Sequence, residues 1–187
     1  MVEEQIDWRK TVEAILENAN RPFVPISKSF IQQPRGSKER SSVLSQFVTN
    51  GDLRGLKAYL LIAASASSPD TDNEWYTSLP LQTWARAFGC SETAGSVATA
   101  KAAATRILLR LQQRGLIEKS RCGKERKIKI KLLAQDGSGE EYQRPASRYI
   151  RLSHDFWKSR FDEDISLPAL AMFLVVLGER TPCELPT

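Results

Sequence analysis

Thiolate or imidazole chemistry in this chain would have to pass through four residues: Cys90, Cys122, Cys183 and the single histidine, His154. The cysteines are widely spaced and form no CxxC pair, which is neither zinc-site spacing nor a disulfide framework. A Ser-His-Asp triad would need His154, and Asp155 beside it is a sequence neighbour without being evidence of a triad. His154 therefore reads as a surface or capping residue. Arg35-Gly36-Ser37-Lys38 lacks the upstream glycine of a phosphate loop, and Gly137-Ser138-Gly139 reads as a turn. The expectation is no catalytic residue, no metal, no cofactor and no enzyme.

The chemistry that does stand out is electrostatic. The 187 residues carry a net charge of only +5. From Lys101 to Lys131, however, eleven basic residues face only Glu118 and Glu125, a net +9. The other 156 residues therefore sum to −4. One concentrated basic element in a mildly acidic chain is the charge distribution of a nucleic-acid footprint. The start, Met1-Val2-Glu3-Glu4, has no apolar signal core. The longest apolar run, Leu167 to Leu177, is 11 residues with Pro168 inside it, too short to span a bilayer. A cytoplasmic protein without membrane contact is expected.

Periodicity supplies the elements that would hold this charge. Residues 5–19 read as a helix through Ile6, Val12, Ile15 and Leu16. Residues 22–40, with Pro22, Pro25 and Pro34, read as an extended connector lying on a body or a partner. Ser41 to Phe47 reads as a short helix, and Asp52 is a good N-cap for a buried helix over Leu53 to Ala64. Trp75-Tyr76-Thr77 suits a short strand. Leu81, Trp84, Ala85 and Phe88 form one apolar face, and Gly89 is a left-handed stop. A longer helix ends at Arg114 before Gly115, with Ala100, Ala104, Ile107, Leu108 and Leu111 in one arc. Thr99, Ala103, Arg106 and Arg110 fall on the opposite side, and Leu109 lies on that polar side too, where it suits neither a solvated face nor a groove-facing one. Ile128, Ile130 and Leu132 alternate with Lys127, Lys129 and Lys131 as in a half-buried strand, which closes a hairpin with residues 116–121. Asp136-Gly137 reads as a turn into a further strand near Tyr142.

Helix, strand, helix, turn, helix and hairpin, from Leu53 to Leu133, resembles the winged helix-turn-helix superfamily, most closely its bacterial regulators. The run Arg106-Ile107-Leu108-Leu109-Arg110-Leu111-Gln112-Gln113-Arg114-Gly115-Leu116-Ile117 looks like the recognition-helix end and the entry to the wing. The separation of Gly89 from Gly115 is longer than the family pattern; the surplus, near residues 92–101, lengthens the helix or forms a loop before it. The resemblance implies a mainly α fold with a small β-hairpin (α+β). It divides the chain into an N-terminal helix and arm (1–45), a DNA-binding domain (46–152) and a C-terminal helical segment (153–187). It further implies base-facing roles for Thr99, Lys101, Thr105 and Arg106. Arg110, with Arg121, Lys124 and Arg126 of the wing, would contact phosphates, which position without specifying sequence.

The C-terminal segment looks like the start of a second copy. Leu56-Lys57-Ala58-Tyr59-Leu60-Leu61-Ile62 matches Leu170-Ala171-Met172-Phe173-Leu174-Val175-Val176 in class, and Leu79-Pro80 matches Leu185-Pro186. A tandem protein truncated in its second copy is the corresponding expectation; an ordinary C-terminal helix is the alternative. The leading functional expectation is a sequence-specific double-stranded DNA-binding protein, a transcriptional regulator. The alternatives are a plasmid or mobile-element replication initiator with tandem winged helices, and a winged helix that binds protein. The N-terminal helix and arm would then serve a homodimer or a protein partner.

Overall fold

The computed structural model describes residues 7–33, 41–66, 69, 74–122 and 127–179 of the chain. It is an α+β fold, about half helical, with two small antiparallel sheets. Helix α1 (Trp8–Glu17) starts where Asp7 accepts the Arg9 N–H, and it buries Val12, Ile15 and Leu16 at helical spacing.

Residues 22–33 are not the plain connector that their prolines suggest. They form strand β1 (Phe23–Ser27) and helix α2 (Lys28–Ile31), which bury Val24, Ile26, Phe30 and Ile31. Pro25 is tolerated because a two-stranded sheet leaves one side of β1 without ladder bonds. The Pro25 carbonyl accepts from buried Gln135, whose Oε1 in turn accepts the Ser27 N–H. Val24, Ile26, Phe30 and Ile31 of the arm are packed in the chain's own core.

Ser42 caps α3 (Val43–Thr49), and Asp52 caps α4 (Leu53–Ser65), accepting the Gly55 N–H at 3.0 Å. Strand β2 (Tyr76–Leu79) leads into α5 (Leu81–Ala87), where Trp84 is fully buried and stacks on Phe88. Gly89, at φ +65°, turns the chain into a four-residue helix, α6 (Cys90–Thr93). That extra turn of helix, together with residues 94–96, accounts for the long separation of Gly89 from Gly115. Helix α7 (Val97–Gln113) then starts at Ser96, whose Oγ accepts the Thr99 N–H. Its buried residues are Ala100, Ala104, Ile107, Leu108 and Leu111, the arc read from periodicity.

Strands β3 (Ile117–Cys122) and β4 (Lys127–Leu132) pair as an antiparallel hairpin, and β2 adds to the far edge of β4. The sheet order is β2-β4-β3. Ile128, Ile130 and Leu132 face the core, as their alternation requires. Beyond β4 the expected strand near Tyr142 is reduced to one bridge, Leu133 with Glu141. Tyr142 instead turns inward and meets Trp75 edge-on. Strand β5 (Tyr149–Ser153), α8 (Asp155–Lys158) and α9 (Leu167–Glu179) complete the described chain. Residues from all three stretches, 1–45, 46–152 and 153–187, enter one buried apolar cluster.

The internal resemblance extends further back than Asp155. Phe23-Val24-Pro25-Ile26-Ser27-Lys28-Ser29-Phe30-Ile31 and Tyr149-Ile150-Arg151-Leu152-Ser153-His154-Asp155-Phe156-Trp157 both fold as a five-residue strand leading into a four-residue helix. Ser27 accepts the Ser29 N–H at 3.2 Å, and Ser153 accepts the Asp155 N–H at 3.1 Å. Val24 and Ile26 are buried, as are Ile150 and Leu152, and Phe30 is matched by buried Phe156. The α4 and α9 helices are both 13 residues long, with Leu56 and Leu60 matched in position by Leu170 and Leu174, all four inaccessible. The two strands pair with each other, antiparallel, with Pro25 opposite Arg151. This register places the local two-fold axis of the ribbon between those two residues.

Candidate nucleic-acid interface

Helix α7 packs its apolar arc on α5 and α4, so its remaining face is the part left to solvent. That face is rotated from the one read from the sequence. Ala103 is half-buried against the core, and Arg110 bends toward α4. The exposed positions of α7 are Val97, Ala98, Thr99, Ala102, Thr105, Arg106, Leu109, Gln112 and Gln113, with Lys101 half-exposed at the side. Leu109, which suits neither kind of polar face by its type, is 46% exposed in the middle of it. Thr99 sits in the first turn, its Oγ1 2.9 Å from the Ser96 Oγ. Thr105 donates back to the Lys101 carbonyl at 2.9 Å, a local bond that fixes its rotamer.

Much of the +9 tally is neutralised inside the molecule. Asp52 is almost fully buried and holds two arginines of α7's C-terminal end. Arg110 Nε and a terminal guanidinium nitrogen donate to it at 3.0 and 2.9 Å. Arg114 donates at 2.8 Å and lies over the Phe47 ring, 4.3 Å from its centroid. Burial pushes the Asp52 carboxyl up, but Arg110 and Arg114 outweigh it and hold the group below its ordinary value. Lys129 and Lys131 both donate to Glu74, at 2.9 and 2.7 Å, and these two lysines hold the Glu74 carboxyl down to about 2. The basic stripe of β4 is therefore matched by an acid just ahead of β2.

Four cations of the segment make no ion pair among the described residues: Lys101, Arg106, Lys119 and Arg121. All four lie on α7 or β3. Arg54, at the start of α4, is a further exposed cation. Its charge and those of Arg106 and Arg110 act together on buried Cys90, whose thiol is nonetheless pushed up by burial. Sequence reading missed Arg54, Ala102 and Gln113 on this surface, and Asp52 and Glu74 as its neutralising acids. A tally along the chain sees only neighbours in sequence, and these acids come from other elements. Lys124 and Arg126, expected at the wing tip, lie outside the described residues.

His154 is buried, not on the surface, although it does occupy the N-cap position of α8. Its side chain makes no capping bond; its ring meets Trp157 edge-on, and Nε2 has no partner. Burial, with Lys158 nearby, holds the imidazole below its ordinary 6.5. The fold thus disfavours the protonated ring. Its contribution is full above that ordinary value and is lost as pH falls below it. The urea midpoint is expected to drop between about pH 7.5 and pH 6, and His154→Leu is expected to flatten that drop. An unchanged slope in the variant would remove His154 as its source.

No group of His, Cys, Asp and Glu that could hold a metal ion is found among the described residues. Among those residues, no helix is long and apolar enough to cross a membrane. Comparison of the chain with family models, curated proteins and solved structures gives no match, so the geometry above carries the functional argument by itself.

Proposed function

We propose that the chain is a sequence-specific double-stranded DNA-binding protein of winged-helix type, a transcriptional regulator that sets α7 in the major groove and β3–β4 on the backbone. The observation that carries this reading is the placement of its unneutralised cations. Lys101, Arg106, Lys119 and Arg121 share one helix and the strand that follows it, while Arg110, Arg114, Lys129 and Lys131 are paired with acids. The order of α4, β2, α5, α7, β3 and β4, with sheet order β2-β4-β3, supports the same reading. An α-helix fits the major groove of B-DNA, where Arg106 has guanine acceptors within its chemistry. Ala102 and Leu109 offer apolar contact to thymine methyl groups, and Gln113 can pair with adenine.

Binding to a duplex is expected to weaken with salt. With four phosphate contacts the slope of log K against log salt is about −4, and contacts from further residues steepen it. Fluorescence anisotropy across a salt series reads this directly, and a flat dependence would sink the proposal. Arg106→Ala is expected to cost about 1–3 kcal/mol on the preferred site and to relax its sequence preference. Lys119→Ala is expected to weaken all sequences alike and lower the slope by about one.

A second reading is favoured by one observation, the matching strand–helix pattern of β1–α2 and β5–α8, whose strands pair with each other. Tandem copies of this kind suit a replication initiator of a plasmid or mobile element. Sequencing of DNA selected by the protein separates the two readings. Directly repeated sites favour the initiator; a single palindrome favours the regulator.

A further inference from the structure

A cavity of about 400 Å³ opens between α1, α4, the turn from α5 to α6, and the segment after α8. Its apolar walls come from Trp8, Leu61, Phe88 and Trp157. Charged side chains of both signs line it as well: Arg9 of α1, Arg54 and Lys57 of α4, Glu92 of α6, and Asp162 and Glu163 of the segment after α8. Asp162 is only 6% exposed and forms no ion pair among the described residues. Lys57 likewise forms no ion pair there, and its ammonium donates only to the Glu163 carbonyl, at 3.3 Å. The neighbouring acid, Glu163, differs: Arg9 and Arg160 both grip it, at 2.7 and 2.8 Å.

A buried charge without a direct partner is costly, and here buried Asp162 and half-buried Lys57 line one space, acting on each other through it without forming an ion pair. A molecule that brought one charge of each sign would give both their partners at once. We propose that this cavity binds a small zwitterion with an apolar body, of the α-amino-acid class. Its ammonium is taken by Asp162, its carboxylate by Lys57, and its side chain by the aromatic walls. The size fits, because a volume of this order lies at the small end of ligand pockets. Burial pushes the Asp162 carboxyl up to about 6 and pulls the Lys57 ammonium down, which is the condition of charges waiting for counter-ions. The proposal stands apart from the DNA reading, and its test uses no DNA.

The test is titration of the full 187-residue chain with L-phenylalanine, L-leucine and L-methionine, followed by tryptophan fluorescence, since Trp8 and Trp157 wall the cavity. Saturable binding of at least one is expected. Phenethylamine and 3-phenylpropionate, each lacking one charge, are expected to bind at least about tenfold more weakly than L-phenylalanine. Asp162→Asn and Lys57→Met are each expected to weaken the zwitterion at least about tenfold. No saturable change with any of the three up to about 10 mM would overturn the proposal. So would equal binding of the single-charge analogues, a comparison made on the unaltered protein and therefore independent of how the variants fold.

Discussion

Asp52→Ala is expected to lower the free energy of unfolding by about 3–4 kcal/mol, measured by urea denaturation at neutral pH. Asp52 does two jobs with one carboxylate. It caps α4 through the Gly55 N–H, and losing such a cap costs about 1 kcal/mol. It also neutralises Arg114, whose side chain is 10% exposed beneath the end of α7. Removing one partner of a buried pair leaves the other charge uncompensated, which is the larger part of the loss. Arg110 adds little, because its side chain is 41% exposed and water replaces the lost contact. Asp52→Asn keeps the cap and removes the charge, so it is expected to recover about 1 kcal/mol of that loss. The wild-type contribution also depends on pH. The Asp52 carboxyl titrates lower in the fold than in the unfolded chain. Its stabilisation is present above the ordinary aspartate value and is lost as pH falls through the lower, folded value. If Asp52→Ala and Asp52→Asn cost the same, the pair with Arg114 is not the source.

Gly115→Ala is expected to cost about 3 kcal/mol or more. Gly115 ends α7 at φ +68° and passes the chain to β3. A β-carbon there would lie 2.6 Å from the Gly137 carbonyl oxygen and 3.0 Å from the Gly139 nitrogen. Both are backbone atoms, so no rotamer change relieves the clash. The loop that closes over the end of α7 would have to move as a whole. The left-handed dihedral adds about 1–2 kcal/mol of its own for a residue with a β-carbon. Gly139→Ala separates these two causes. It shares the left-handed region, at φ +78°, yet its β-carbon would meet nothing within 4 Å. It is expected to cost about 1 kcal/mol. Equal losses at Gly115 and Gly139 would show that the dihedral alone is responsible.

What could be read from the sequence was whatever repeats locally. The arc from Ala100 to Leu111, the alternation from Ile128 to Leu132, the cap at Asp52 and the stop at Gly89 depend on spacings within one element, and the fold reproduces them. What escaped depends on partners distant in sequence. Prolines marked residues 22–40 as a connector, because nothing nearby shows that Phe23–Ser27 finds a mate in Tyr149–Ser153. The interface is the sharper case. Lys101, Thr105 and Arg106 could be placed on a helix, but Arg110 could not be separated from Arg106 by periodicity. Only Asp52, more than a dozen turns of chain away, distinguishes the paired arginine from the exposed one. Likewise α6 could not be foreseen, since four residues carry no period.

The β1–β5 ribbon also sets the order in which the chain assembles. Its strands are separated by all of residues 28–148, and closing a loop of that length costs on the order of 4 kcal/mol of chain entropy. Contacts within residues 41–133 span shorter loops and form sooner. During synthesis the segment Phe23–Ser27 leaves the ribosome early and waits for a mate made more than a hundred residues later. Until then Val24, Ile26 and Phe30 stand beside an unpaired strand edge, the kind of surface on which nascent chains cross-associate. A strand made early is thus among the last to be secured.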